Sequence, residues 1–358
     1  MILREASLLF LWALFGYDLN FGYLAQLVRG QAHLLLNREP IETILRREGF
    51  DAAVRKQLEF VQDVLAFGRA KIGLHSSGNY TTYCEIGSGP VCWALIACPK
   101  DRLDPLKWSY PIVGIAPYRG YFDLQLAEQD QEKLESEGYD TFLRPVNAYS
   151  SLGWFSDPIL SSMLRLKDAD LASLLIHELT HATIWILSDA GFNESLATFV
   201  GETGSLYFLE SKHGHDSPEV QKVIARRADR RAFLVFVAGL VKELQLLYDS
   251  DRGYEEKLRE REKIFAEARS SFFELPMRTD SYTGFPRWEM NNARLASFRI
   301  YTERLDLFEE VYLAAGNDLK AAVKVFTGCR DLENPRGYLE AWIRNHSRRS
   351  GVTVRGTG

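Results

Sequence analysis

Two short segments, His177-Glu178-Leu179-Thr180-His181 and Asn193-Glu194-Ser195-Leu196-Ala197, decide what fold and chemistry this chain is expected to have. On an α-helix, positions four apart lie on one face, so His177 and His181 can aim both imidazoles at one metal ion. Glu178 then projects beside the ion, toward water held there. A zinc hydrolase needs such an arrangement, because its ion keeps one coordination position open and a neighbouring carboxylate accepts a proton.

The plain alternative for the first segment is a core helix whose two histidines satisfy each other or water. Apolar residues on both sides indicate a buried helix, and Asp168 and Asp170 provide favourable charge or a cap at its start. Two histidines buried beside a glutamate would be costly to leave unpaired. We therefore expect His177 and His181 to bind metal and Glu178 to activate water.

The third ligand is expected from a second helix, and Glu194 is the best candidate. Gly191 is predicted to break the first helix and Asn193 to cap the second, which runs from Glu194 to about residue 209. Thr198 and Glu202 share roughly one face with Glu194 and are predicted to support the ligands from behind. The alternative is a first-turn glutamate that is favoured only by the helix dipole.

Together the two segments resemble the gluzincin metallopeptidases, in which the glutamate of an Asn-Glu-x-x-Ala/Ser segment is the third zinc ligand. The spacer is shorter here than in thermolysin or the large aminopeptidases. More closely, the chain resembles the bacterial putative aminopeptidase family (Aminopep) from about Gly22 to Trp342. This resemblance also rests on Gly22-Tyr23-x-Ala25-Gln26, Tyr118-Arg119-Gly120-Tyr121-Phe122, Ala148-Tyr149-Ser150-Ser151-Leu152-Gly153-Trp154-Phe155-x-Asp157-Pro158 and Asn291-Asn292-Ala293. It implies one zinc ion, a peptide substrate and aminopeptidase activity.

The resemblance further implies an edge strand that binds the backbone of an extended peptide through unpaired N–H and C=O groups. The stretch before the first zinc helix is the candidate, with an ordinary loop as the alternative. Its proposed peptide-binding residues are Tyr149, Ser150, Ser151, Leu152 and Gly153. In the large aminopeptidases a glutamate of this strand binds the substrate amine, and no glutamate occurs here. Asp157 or Glu202 is a candidate substitute, although each is more often a capping or supporting residue.

Hydrolysis also needs a donor to the oxyanion of the tetrahedral intermediate, which gluzincins take from a Tyr or His of the helical part. Tyr301 is the first candidate, on the helix after the Asn291-Asn292-Ala293 segment, and Tyr207 is the second. With 16 tyrosines in the chain, the alternative for either is a half-buried packing residue. His213 and His215 lie in a polar loop, where we expect no second metal.

Residues 1–22 form an apolar N-terminal segment that is expected to be signal-like or an anchor. Ala6 to Gly16 is an apolar run behind Arg4, too short to span a bilayer and close in length to a signal-peptide core. Members of the resembling family often carry a lipoprotein signal, but Tyr17 stands where the lipidated cysteine would be. An interfacial anchor and a helix packed on the body both stay open. Export or membrane association in a bacterial envelope is expected, with a cytoplasmic location as the alternative.

Composition indicates a packed enzyme with no nucleic-acid partner. Of the 358 residues 46% are hydrophobic, and the formal net charge of −5 argues against a general nucleic-acid or anionic-membrane surface. The four arginines that could suggest otherwise are spaced like a solvated helix face. They are Arg226, Arg227, Arg230 and Arg231.

The cysteines show no Cys-x-x-Cys spacing, which excludes a zinc ribbon and a thioredoxin-like redox site. They are Cys84, Cys92, Cys98 and Cys329, and they are interpreted as packing residues. In an exported protein, Cys84 and Cys92 could instead pair across a hairpin.

The Tyr118-Arg119-Gly120-Tyr121 segment is either a substrate-facing turn or a strand end with an ion-paired arginine.

The expected fold is α+β, a small mixed sheet followed by a mainly helical half, with the gluzincin-like zinc-peptidase core that the resemblance implies. One domain is expected over residues 23–350, with a sheet-containing part at about 75–165 and a helical part at about 166–346. Strands are predicted at 80–85, 91–98, 111–117 and 141–150. Helices are predicted at 51–70, 124–138, 169–188, 194–211, 218–248, 254–272, 289–314 and 336–346. The metal helices are expected to border the sheet.

The sequence thus predicts a zinc-dependent peptidase, and its aminopeptidase specificity comes from the resemblance. The alternative is an envelope binding or scaffold protein that keeps zinc for stability and cleaves nothing. A purely structural zinc site needs no free carboxylate at Glu178 and usually fills all four coordination positions, which favours the enzyme.

Overall fold

The computed structural model describes residues 21–75, 78–110, 114–146, 156–187, 189–300 and 304–350. Over these residues the fold is mixed α+β and mainly helical, which confirms the predicted α+β class with a mainly helical second half. The apolar run from Ala6 to Gly16 lies outside the described residues. No helix within the described ranges is both long and apolar enough to cross a membrane.

Short helices alternate with short strands in the first part of the chain. The elements are α1 (Phe21–Leu36), β1 (Arg38–Pro40), α2 (Ile41–Arg46), α3 (Ala52–Phe67), a π-helical turn (Gly68–Ile72), β2 (Thr82–Cys84), β3 (Cys92–Pro99), β4 (Trp108–Tyr110), β5 (Gly114–Ala116), β6 (Arg119–Tyr121), α4 (Leu124–Ser136), β7 (Tyr139–Val146), β8 (Ile159–Leu160) and α5 (Ser161–Leu164). The predicted helices at 51–70 and 124–138 correspond to α3 and α4. The first three elements were not predicted.

The strands form three small sheets, where the sequence predicted one. Their orders are β1-β2-β8, β6-β3-β7 and β4-β5. The two longest strands, β3 and β7, pair antiparallel from Cys92 opposite Val146 to Pro99 opposite Tyr139. The other strands are two or three residues long, and strands this short reach only their immediate neighbours. Because β1 starts at Arg38, pairing also extends outside the predicted 75–165 region.

Helices make up the second part. They are α6 (Asp168–Thr183), α7 (Ala190–His213), α8 (Pro218–Tyr248), α9 (Tyr254–Ser271), α10 (Asn292–Ile300), α11 (Leu305–Ala314), α12 (Leu319–Thr327) and α13 (Pro335–Ser350), with 3₁₀ turns at Phe272–Glu274 and Phe285–Arg287. The predictions for 218–248 and 254–272 match α8 and α9. The helix predicted at 289–314 is divided into α10 and α11, and α12 was not predicted.

Among the described residues, α6 and α7 pack mainly against other helices, and they share one hydrophobic core with strands β2 and β8 of the β1-β2-β8 sheet. Helix α6 packs mainly against α3 and α7, and α7 also packs against α8, α10 and α11. Helix α10 instead covers β3 and β7, because its small buried Ala293 and Ala296 fit against Ile96 and Cys98. Among the described residues, α10 therefore connects α7 to the β6-β3-β7 sheet.

Helix α1 is fixed to β6 by two of the segments on which the resemblance rests. The Arg119 guanidinium lies 4.0 Å from the centre of the Tyr23 ring and pairs with Asp130 at 2.9 Å. The Gln26 side-chain oxygen accepts a hydrogen bond from the backbone N–H of Phe122 at 2.6 Å. Of the two alternatives for this segment, the strand end with an ion-paired arginine is the one observed.

A buried polar network explains the Asn291-Asn292-Ala293 segment. Asp140 on β7 accepts hydrogen bonds from Arg261 at 2.8 Å and from the Asn292 backbone at 2.9 Å. The Asn292 side chain donates to the Pro99 carbonyl and accepts from the Tyr248 hydroxyl, at 2.9 and 2.8 Å. A buried ion pair is favourable only when its remaining groups are also satisfied, as they are here. The network joins α8, α9 and α10 to the β6-β3-β7 sheet.

All four cysteines are free and buried, which confirms their interpretation as packing residues. Burial raises the pKa of the Cys92, Cys98 and Cys329 thiols to about 12, so these thiols are protonated at neutral pH. The alternative of a Cys84–Cys92 hairpin disulfide is wrong. Cys84 lies in β2 and Cys92 in β3, and these strands belong to different sheets.

Candidate metal centre

Helix α6 carries both histidines and Glu178 and ends earlier than predicted. Asp168 and Asp170 in its first turn interact favourably with the helix dipole. At its other end the Thr183 hydroxyl bonds back to the Leu179 carbonyl at 2.6 Å, and β-branched Ile184 adopts an extended conformation. The helix therefore stops at Thr183 and leaves His181 in its last turn.

The connection between α6 and α7 is fixed by Asn193. Its side-chain oxygen accepts from the Ile186 N–H at 2.8 Å, and its side-chain nitrogen donates to the Ile186 carbonyl at 2.7 Å. Helix α7 begins at Ala190 and is capped by Asp189, whose carboxylate accepts from the Phe192 N–H. The prediction that Gly191 breaks the first helix and Asn193 caps the second is therefore wrong. With the cap supplied by Asp189, the Asn193 amide is available to hold the incoming loop.

Three side chains converge where α6 meets the first turns of α7. The Nε2 atoms of His177 and His181 lie 3.0 Å apart, and a Glu194 carboxylate oxygen lies 3.3 Å from the first and 3.7 Å from the second. One ligand atom from each residue falls within a set spanning at most 4.8 Å. Among the described residues, His177, His181 and Glu194 form the cluster that could hold a metal ion.

The carboxylate of Glu194 is ionised in this setting. Burial alone would raise its pKa, but the charges and hydrogen bonds of His181 and His177 outweigh burial and hold the pKa far below its usual range. A buried carboxylate that stays charged needs cationic or metal partners. Two imidazole nitrogens and this carboxylate oxygen form a donor set that suits zinc and other divalent transition metals.

The site is mostly closed, and His177 is the most accessible of the three candidate ligands. The side chain of His177 is 16% exposed, compared with 4% for His181 and 10% for Glu194. The Trp185 ring packs edge-on against His181, with the centres 5.5 Å apart. Glu178 is buried beside His177 on α6. Among the described residues, Trp185 therefore covers the side of His181, and His177 is the side chain of the three that is most open to solvent.

Two glycines of α7, not noted in the sequence, bring the ligand helices together. A Cβ atom added at Gly201 would lie 2.7 Å from the Ser173 carbonyl oxygen and 3.1 Å from His177 Cβ. One added at Gly204 would lie 2.7 Å from the Ile72 side chain. Neither glycine was predicted to matter, although Ala197, Gly201 and Gly204 recur at helical spacing on roughly the face of Glu194.

We expect Gly201→Ala to destabilise the protein, because the added methyl meets the backbone of α6, which cannot rotate away. Overpacking of this kind costs about 1–3 kcal/mol. Gly239→Ala on α8 is the matched control, since its Cβ would meet nothing within 4 Å. That control should be stabilising by about 0.4–1 kcal/mol. Urea titration of both variants measures the difference, and equal stability would contradict the close-approach explanation.

The family model described as "Putative aminopeptidase" (Aminopep) matches residues 22–336. The chain belongs to this family. No curated protein and no solved structure is similar enough to count as a match. The matched range of this Aminopep chain starts in α1, contains the His177, His181 and Glu194 cluster, and ends in the first turn of α13.

The two predicted supporting residues of this Aminopep chain differ in position. Thr198 is buried one turn after Glu194. The Glu202 carboxylate points to Arg230 on α8, with Oε1 2.8 Å from the guanidinium, and is not part of the ligand cluster. The Arg227 guanidinium donates to the Glu202 backbone carbonyl at 3.0 Å, and Arg226 pairs with Asp170. Arg226, Arg227 and Arg230 are partly exposed, as a solvated face requires, and they also join α8 to α6 and α7, which was not predicted.

Several predicted residues have other surroundings or fall outside the described ranges. Tyr301 and the peptide-binding stretch Tyr149–Gly153 lie outside the described residues. The Tyr207 hydroxyl contacts Tyr312 and donates to the Asn317 carbonyl, and thirteen residues of helix, about 20 Å, separate it from Glu194. Tyr207 is therefore not the oxyanion donor.

Two further candidates are explained by local contacts. Asp157 is buried before β8, where its backbone N–H donates to Asn79 and its carbonyl accepts from the Tyr80 N–H. His215 pairs with Glu210 at 2.8 Å on the exposed end of α7. Neither His213 nor His215 belongs to the metal-capable cluster found among the described residues.

Proposed function

We propose that this chain is a zinc-dependent peptidase in which His177, His181 and Glu194 hold one zinc ion. The observation that carries the proposal is the convergence of two imidazole nitrogens and one carboxylate oxygen within 4.8 Å. The donors fit the ion by chemistry as well as by position. The Nε2 atoms of His177 and His181 lie 3.0 Å apart. If both rings are neutral and no cation is present, at most one of these atoms carries a proton, which it donates to the other. A divalent cation would satisfy both nitrogens and the buried charge of Glu194.

Glu178 supplies the proton transfers in this proposal. When bound, the zinc ion would polarise the scissile carbonyl and make water more acidic. The Glu178 carboxylate takes a proton from the attacking water and returns it to the nitrogen of the departing amine. Its position directly after His177 on a rigid helix fixes the carboxylate beside the ligands, and its burial excludes bulk water from the transfer.

A peptide is the proposed substrate, and aminopeptidase specificity is the finer part of the proposal. Family membership supports peptidase chemistry, since the family's description reads "Putative aminopeptidase". The proposal extends to an exported or membrane-associated protein, supported by the apolar sequence between Ala6 and Gly16. Peptide contacts from residues 149–153 and an oxyanion donor at Tyr301 remain predictions from the sequence.

Metal analysis combined with cleavage of a mixed peptide library tests the proposal. We expect purified protein to contain about one zinc ion per chain and to release products that mass spectrometry can identify. Products shortened by one N-terminal residue would support the aminopeptidase assignment, and internal cleavage would replace it with endopeptidase activity. Protein that holds zinc but cleaves no peptide would instead support the scaffold alternative.

A further inference from the structure

Four charged side chains from three helices form a second polar cluster, the acid–arginine cluster, next to the metal centre. Asp170 of α6 pairs with Arg226 of α8 at 3.0 Å. Glu202 of α7 pairs with Arg230 of α8 at 2.8 Å. The four side chains are 26% to 38% exposed, so the cluster is open to solvent.

The acid–arginine cluster lies along the same helices that carry the metal ligands. Asp170 precedes His177 by seven residues, two turns on nearly the same face of α6. Glu202 follows Glu194 by eight residues on α7. At the usual rise these separations are about 10–12 Å. An extended peptide advances about 3.3 Å per residue, so the cluster is about three residues from a bond cleaved at the metal.

Arg230 has donor capacity that the protein does not use. Its Nη1 binds one oxygen of Glu202, whereas its Nε atom is buried and has no hydrogen-bond partner among the described residues. Arg226, by contrast, binds both oxygens of Asp170. Because Nε is buried, a carboxylate from solvent would bind this partly exposed guanidinium in two-point fashion through its Nη atoms.

Tyr282 lies near the two pairs: burial raises the pKa of its hydroxyl, and the charges of Arg230, Glu202 and Arg226 also act on it. Its ring stacks on Phe233 with the centres 4.0 Å apart, and its backbone is in the left-handed region at φ 64°. Buried Asp229 holds the preceding loop by accepting hydrogen bonds from the Arg278 and Thr279 N–H groups at 2.6 and 2.8 Å. Non-glycine residues in this backbone region cost energy and persist where surrounding contacts hold them, often at ligand sites.

We propose that Arg230 is a specificity-determining residue that binds a carboxylate of the peptide about three residues from the cleaved bond. The inference rests on the proposed peptidase function. The carboxylate belongs either to an acidic side chain or to the C-terminus of a short peptide. When the peptide binds, its carboxylate replaces the Glu202 carboxylate on the Arg230 guanidinium, and the Glu202 side chain turns to solvent.

The test uses four zinc-loaded proteins: wild type, Arg230→Gln, Glu202→Gln and Arg231→Gln. Arg231 is the matched control, because it lies on the same helix, pairs with Glu309 and is 70% exposed. The substrates are peptides that differ only in Glu or Gln three residues from the cleaved bond, each with a free or an amidated C-terminus. Binding of the same peptides is measured by calorimetry in the Glu178→Gln background, which gives a readout independent of turnover.

We expect wild type and Arg231→Gln to prefer the carboxylate-bearing peptide by about tenfold or more, and Arg230→Gln to lose that preference with neutral peptides unchanged. Glu202→Gln should strengthen binding of the acidic peptides, because it removes the competing carboxylate. The peptides with an amidated C-terminus identify the source of the carboxylate. A preference that persists after amidation comes from the Glu side chain, and one that is lost comes from the C-terminus. Equal loss for acidic and neutral peptides in Arg230→Gln, or no wild-type preference, would overturn the proposal. If peptides bind but are not cleaved, the peptidase function fails separately.

Discussion

Glu178→Gln should abolish peptide hydrolysis while the protein keeps its fold and its zinc. The amide has the shape of the carboxylate but cannot take a proton from the attacking water. Loss of a general base typically reduces the rate about 10²- to 10⁴-fold. Because Glu178 is not among the three residues that could hold the ion, the zinc content should not change. Initial rates on the best library peptide, with metal content measured in the same sample, check this result.

The matched control for this substitution is Glu210→Gln. Glu210 lies on α7 and pairs with His215 near the exposed end of that helix, away from the metal centre. We expect its rate to equal that of wild type. A Glu178→Gln protein that retains full activity would remove Glu178 from the mechanism. A variant that has lost its zinc would show instead that this carboxylate helps to hold the ion.

Glu194→Ala should purify nearly free of metal, whereas Glu202→Ala should keep its zinc. Removing Glu194 takes away one of three donors and leaves His177 and His181 alone at 3.0 Å. Glu202 contacts Arg230 and lies about 12 Å farther along α7, so its loss leaves the donor set intact. Even a partner that orients a ligand typically changes affinity by only about 10–100-fold.

Equilibrium zinc titration against a competing chelator measures both variants on one scale. Glu194→Gln is a useful companion, because it retains the shape and one weak oxygen donor while removing the charge. We expect the affinity order wild type, Glu202→Ala, Glu194→Gln, Glu194→Ala. The reverse order for the two alanine variants would show that Glu194 is not the third ligand.

The metal-capable cluster could be predicted because most of it depends on local geometry. His177 and His181 share a helix face wherever that helix lies, since the four-residue spacing sets their relation. Glu194 follows after a short connection, which limits how far it can be from them. The long helices α8 and α9 were also predictable, since Ser217 and Pro218 mark the start of the first and Gly253 precedes the second.

The remaining features depend on contacts between distant residues. Nothing local to Asn193 indicates that its amide binds Ile186 instead of capping a helix, because the choice depends on Asp189 taking the cap. The pairing of β1 with β2 joins Arg38 to Cys84, and short strands carry too little periodicity to show such partners. Gly201 is significant only because the α6 backbone lies against it.

The glycine contacts and the Asn193 clamp have a consequence for how the proposed zinc ion would bind. They join α6 to α7 through groups outside the metal-capable cluster, so we expect the helix pair to form without the ion. Zinc would then enter a site whose conformational entropy has already been lost, and its affinity would not be spent on ordering the chain. Many small zinc domains, by contrast, fold only when the metal binds. A chelator should therefore leave a folded apoprotein that regains the ion on re-addition, with a melting temperature that rises with zinc concentration.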